Sequence, residues 1–126
     1  MSEQIKGRVY IVDDEHVIAH TLAAILKNSG FDATAFTSPL DALDAANSNA
    51  PDLLITDVMM PEMSGVDLGI HFRTRFPQCN VLLFSGLATT AALLDEARKQ
   101  GHDFTLLAKP IHPKDLLAAI GSLIAS

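Results

Sequence analysis

Five short apolar runs recur along the chain at nearly even intervals: VYIV at 9–12, DATAF at 32–36, LLIT at 53–56, VLLF at 81–84 and FTLLA at 104–108. Four are almost unbroken hydrophobics, the pattern of strands buried on both faces. The second alternates Asp32, Thr34 and Phe36 with Ala33 and Ala35, a mixed face suited to a sheet edge. Between the runs the apolar period lengthens to that of a helix. Ile18, Leu22, Ile25 and Leu26 share one face of a segment that Gly30 closes. Ser38 is placed as the N-cap and Pro39 as the first residue of a second helix that turns Leu40 and Leu43 inward. A third helix over about 64–76 stops at Pro77, and a fourth over about 89–100 is closed by Gly101. The last begins at Pro113 and buries Leu116, Leu117, Ile120, Leu123 and Ile124.

Strict β-α alternation with short connections demands a parallel sheet covered by helices on both faces, with right-handed crossovers. No G-x-G-x-x-G follows the first strand and no G-x-x-x-x-G-K-[ST] occurs, which disfavours a dinucleotide fold and a P-loop. Five strands point to a three-layer (βα)5 α/β fold of the flavodoxin-like kind, a five-stranded parallel sheet in the order 2-1-3-4-5. At 126 residues one core is expected, and 48% hydrophobic against 19% charged residues excludes disorder.

The formal charge is −6 and the nine Lys and Arg are scattered singly, so a direct nucleic-acid surface or an anionic-membrane surface is not expected. The N-terminal MSEQIKGR is polar and the run after it is too short for a signal core or a membrane span, which gives a cytoplasmic reading. Cys79 has no partner for a disulfide and is read as a small residue at the start of a strand.

In an open parallel sheet the site lies beyond the carboxyl ends of the strands, where the strand order reverses. Here strand one ends in Asp13 and Asp14, strand three in Asp57, strand four in Ser85 and strand five in Lys109. Carboxylates gathered on one rim raise one another's pKa unless a cation compensates them. Magnesium suits an all-oxygen set, whereas zinc and iron would call for His or Cys. An acidic cap on the first helix accounts for Glu15 but not for Asp57 or Lys109.

The ordered set VDDE, TDVMMPEMSG at 56–65, FSG at 84–86 and AKP at 108–110 closely resembles the receiver domain of two-component response regulators, over essentially the whole chain. The resemblance implies that Asp57 is the phosphoacceptor and that Mg2+ is held by Asp13, Asp14, Asp57 and the main-chain oxygen of Met59. It implies that Ser85 reaches the phosphoryl group, that Lys109 pairs with it, and that the Lys109–Pro110 bond is cis. The implied role is phosphorelay signalling rather than enzymatic turnover: a sensor histidine kinase or phosphotransfer protein, or a small phosphodonor, supplies the phosphoryl group. Phosphorylation then switches a surface near helix 4, strand 5 and helix 5 toward an effector that the sequence does not name.

A haloacid-dehalogenase-like phosphatase is the rival of another class, and it needs a second Asp where Met59 stands; a pseudo-receiver is disfavoured because all five site positions are competent. His16 and His20 have the i, i+4 spacing of a zinc helix but lack the Glu of H-E-x-x-H, so they are read, with His71, His102 and His112, as solvated. Met59, Met60 and Met63 are read as turn and core packing. Two departures from the family pattern matter: Leu106 replaces an aromatic residue and Ile111 replaces Phe. Both remove aromatic surface, so ring rotation is not the expected readout and homodimerisation through that face stays open. Met59 and Leu87, two residues beyond Asp57 and Ser85, are expected to flank the phosphoryl group and exclude water. The last helical pattern runs to Ser126, so residues 1–126 are read as a single receiver unit with no output domain visible, either a stand-alone regulator or a piece of a larger one.

Overall fold

The computed structural model describes residues 7–86, 90–109 and 111–124. Its elements run β1 (Arg8–Val12), α1 (His16–Asn28), β2 (Asp32–Phe36), α2 (Pro39–Ala46), β3 (Leu53–Asp57), α3 (Gly65–Arg75), β4 (Asn80–Ser85), α4 (Thr90–Lys99), β5 (Thr105–Ala108) and α5 (Pro113–Ile124). The five strands form one parallel sheet in the order β2-β1-β3-β4-β5, as the alternation predicts.

Each central strand feeds two cores, because successive side chains point to opposite faces. Val9, Ile11, Leu53, Ile55, Leu82 and Phe84 face α1 and α5, where they meet Leu22, Leu26, Leu116 and Ile120. Tyr10, Val12, Leu54, Val81 and Leu83 face α2, α3 and α4, where they meet Ala42, Ala46, Leu68, Phe72 and Ala97. Burying a Leu or Phe side chain in this way stabilises by about 1.5–3 kcal/mol. Phe72 is fully buried and packs edge-on to Tyr10 at 6.4 Å, so truncating it to Ala would cost about 3–5 kcal/mol. Gly69 lets α3 lie close on the sheet: a methyl group there would come within 3.0 Å of Val81 and 3.1 Å of Phe104.

Gly30 and Gly101 close α1 and α4 with positive φ of 97° and 91°, as expected of helix ends that need the left-handed region. Two expectations are corrected, and a third holds in position but not in its hydrogen bond. Leu40 does not turn inward: it is 51% exposed, and α2 buries Pro39, Ala42 and Ala46 instead. Ser38 occupies the N-cap position but makes no side-chain cap; its hydroxyl donates to Glu62 Oε1 at 2.8 Å, tying two loops together. The run before Lys109 is not buried on both faces, because β5 is an outer strand with Thr105, Leu106 and Ala108 exposed. Cys79 is buried just before β4, and burial pushes its thiol up to about 12, so it is an inert packing residue. Among the described residues no helix is long and apolar enough to cross a membrane.

Candidate functional site

The strand ends converge because the ladders hold them in register. Val12 lies opposite Thr56 across β1 and β3, Asp57 opposite Phe84 across β3 and β4, and Ser85 opposite Ala108 across β4 and β5. The pairing continues one step past the strands: Asp13 N–H donates to the Phe36 carbonyl (3.1 Å), Val58 N–H to Phe84 (3.2 Å) and Lys109 N–H to Ser85 (3.1 Å). The backbone that carries each polar side chain is therefore fixed by strand hydrogen bonds rather than left to loop freedom.

Asp13, Asp14 and Asp57 each offer a carboxylate oxygen within 4.8 Å of the others. Asp13 is fully buried and Asp57 is 6% exposed, while Asp14 faces solvent and leaves one side of the cluster open. Lys109 Nζ stands 3.4 Å from Asp57 Oδ1 and 3.6 Å from Asp13 Oδ2, over the Phe84 ring at 5.1 Å. One ammonium thus faces two buried carboxylates, and the charge balance is negative.

The carboxyl groups register that imbalance. Burial pushes Asp13 up to about 6; the Glu15 N–H, which donates to Asp13 Oδ1 at 2.9 Å, and Lys109 pull it down, while the charges of Asp57 and Asp14 push it up. Asp57 is also raised by burial, against the pull of Lys109 and the Val58 N–H. Asp13 Oδ2 is buried and accepts no hydrogen bond. A buried anionic oxygen with no donor, beside two other carboxylates, is a ligand position for a hard cation. The set fits Mg2+ and offers no nitrogen or sulfur to a softer ion.

Ser85 reaches the same rim from β4 and is 6% exposed. Of the site residues expected from the sequence, Asp13, Asp14, Asp57, Ser85 and Lys109 stand on this rim. Met59 follows Asp57 in the β3–α3 loop, and its side chain is 48% exposed rather than packed; Met60 and Met63 do pack against the core. Leu87 and the Lys109–Pro110 bond lie outside the described residues.

Two contributors had no weight in the sequence reading. Thr56, buried in β3, donates its hydroxyl to the Asp57 carbonyl at 2.9 Å and so fixes the peptide that carries the carboxylate. Its signal was a lone hydroxyl inside an apolar strand. Phe84 supplies the ring face under Lys109, and nothing in a run of hydrophobics distinguishes it.

The response regulator receiver domain family model matches residues 9–121. The chain is 31% identical over 116 residues to the transcriptional regulatory protein CreB of Escherichia coli, covering 92% of this chain and 50% of that protein. It is 30% identical over 115 residues to the DNA-binding transcriptional regulator NtrC of Proteus hauseri, covering 91% of this chain and 24% of that one. The chain therefore spans half the length or less of these curated relatives. Among solved structures, a response regulator receiver domain protein from Clostridium thermocellum superposes with a TM-score of 0.82 at 28% identity, covering 94% of each chain.

Proposed function

Since this chain belongs to the response regulator receiver family, we propose that it receives a phosphoryl group on Asp57 and that Asp13, Asp14, Asp57 and the Met59 main-chain oxygen hold Mg2+ during the transfer. The observation that carries this reading is the position of Lys109 Nζ, 3.4 Å from Asp57 Oδ1 and 3.6 Å from Asp13 Oδ2, beside an acidic cluster whose net charge is negative. A nucleophilic carboxylate, a counter-charge and an open acidic side are what phosphoryl transfer asks of a protein, whose work there is positioning and charge neutralisation.

An Asp57 oxygen attacks the phosphorus in line with the leaving group. The new O–P bond forms as the P–N bond of a phosphohistidine, or the P–O bond of acetyl phosphate, breaks, and the bonding pair leaves with the imidazole nitrogen or the acetate oxygen. Bound Mg2+ would neutralise charge on the transferring oxygens. The product places roughly two negative charges and three acceptor oxygens next to Lys109 and the Ser85 hydroxyl. Thr56 and the Val58 N–H keep the attacking residue's backbone still.

The donor is read as a sensor histidine kinase or a phosphotransfer protein, and residues 1–126 as one cytoplasmic receiver unit that signals by changing what it binds rather than by turnover. Leu106, 38% exposed on the outer strand, stands on the face expected to change, without the ring the family usually carries there. The test is mass spectrometry after incubation with acetyl phosphate and Mg2+. One phosphoryl group should add to the parent and none to Asp57→Asn, and an unchanged mass shift in that variant would refute the assignment.

A further inference from the structure

His16 and His20 stand one turn apart on the exposed side of α1, with ring centroids 4.1 Å apart and planes inclined by 39°. A helix sets the Cβ atoms of residues at i and i+4 about 5–6 Å apart. The two rings therefore lean toward each other instead of splaying into solvent. Ala19, between them in sequence, is buried and anchors this turn to the sheet, while Val17 is 75% exposed beside them. The backbone of the pair is thus fixed and its imidazoles are open to solvent.

We propose that His16 and His20 form a two-point chelate for a borderline divalent transition metal of the copper(II), nickel(II) or zinc(II) class. Two imidazoles at this helical spacing can each turn one nitrogen to a common ion, which is how a helix supplies two of the ligands in H-x-x-x-H sites. Imidazole nitrogen selects these ions, and copper(II) binds tightest of the three. The chemistry differs from that of the Asp13, Asp14 and Asp57 cluster, whose oxygens suit Mg2+. Water fills the remaining coordination positions. Val17, Ile18 and Ala19, between the histidines, are apolar and add no ligand of their own.

The test uses the full chain in saturating Mg2+, titrated with copper(II) or nickel(II) by calorimetry and by NMR, where these paramagnetic ions broaden nearby amide signals. One ion should bind per chain, with broadening centred on residues 16–20. His16→Gln and His20→Gln should each cut affinity about 10-fold or more, because losing one arm of a chelate forfeits the effective concentration the other arm provides. Asp57→Asn should leave this binding intact. A loss of only about two-fold in each variant would mean that the rings bind independently and would overturn the chelate. So would broadening centred on Asp13 and Asp57, or on His71, His102 or His112. Both substituted residues are exposed, and circular dichroism checks that α1 persists in the variants.

Discussion

Gly65 comes so close to Asp57 that a methyl group on its α-carbon would lie 2.0 Å from the Asp57 carbonyl oxygen and 2.8 Å from its carbonyl carbon. The Gly65 N–H donates to the Val58 carbonyl at 2.8 Å, so the first residue of α3 is strapped against the strand end that presents the carboxylate. The β3–α3 loop, with Met59 in it, is folded back onto its own start.

Gly65→Ala should therefore push α3 and the loop away from Asp57. Overpacking of backbone against backbone places the cost near the upper end of the usual range, about 1–3 kcal/mol. Chemical denaturation should show that loss, and a Mg2+ titration should show weaker binding, because Met59 and Asp57 move with the loop. Wild-type values for both would mean that the close approach relaxes without consequence.

The acid cluster makes stability depend on pH in an unusual direction. The carboxyl of Asp13 titrates at about 6 in the folded protein, against about 3.9 when unfolded. Between those values the folded state holds a proton that the unfolded state has released, so the metal-free protein gains stability as pH falls through about 6 and the gain levels off near about 4. Asp57 shifts in the same direction. Without Mg2+, the denaturation midpoint should be higher at about pH 5.5 than at about pH 7.5. Mg2+ should remove the difference by stabilising the ionised form, and Asp13→Asn should flatten the metal-free profile. A midpoint that falls steadily on acidification, parent and variant alike, would contradict the assignment.

Lys109→Gln tests the other half of the balance. Its side chain is 25% exposed, so the loss is discounted from that of a fully buried ion pair, to about 1–2 kcal/mol at neutral pH without Mg2+. The destabilisation should shrink near pH 5, where the carboxyl of Asp13 is protonated. Phosphorylation by acetyl phosphate should slow at every pH. Equal destabilisation at both pH values would show that Lys109 contributes packing rather than charge.

Met59 bears on how long a phosphoryl group would stay. Its side chain is half exposed at the second position beyond Asp57, and a thioether there offers an incoming water no strong hydrogen-bond partner. Met59→Asn should speed loss of the phosphoryl group several-fold once the donor is removed, followed by mass spectrometry in saturating Mg2+. Unchanged decay would show that this residue does not control the approach of water.

The strand ends were legible because each falls where an apolar run breaks into a polar residue, and the ladder then aligns those breaks. Strand order followed from alternation and length. That order put β5 at an edge, but the exposure of its side chains was not legible, because FTLLA is as apolar as the inner runs. Leu40 misled because near the start of an eight-residue helix the period is too short to fix which face points inward. Ser38 stands at the N-cap as the sequence places it, but the partner of its hydroxyl was not legible, because Glu62 lies on another loop and a local capping rule cannot see a contact made across the fold.

The span of the ion pairs carries a further consequence. Asp13 ends the first strand and Lys109 follows the last, with β3 and β4 between them in the sheet. During synthesis the three acidic residues emerge long before the ammonium that balances them. Until β5 docks, the nascent sheet holds an acidic pocket without the ammonium that faces it in the finished fold. The charge balance of the pocket thus arrives with the fifth β-α unit, so the ends of β1 and β3 depend electrostatically on a strand synthesised well after them.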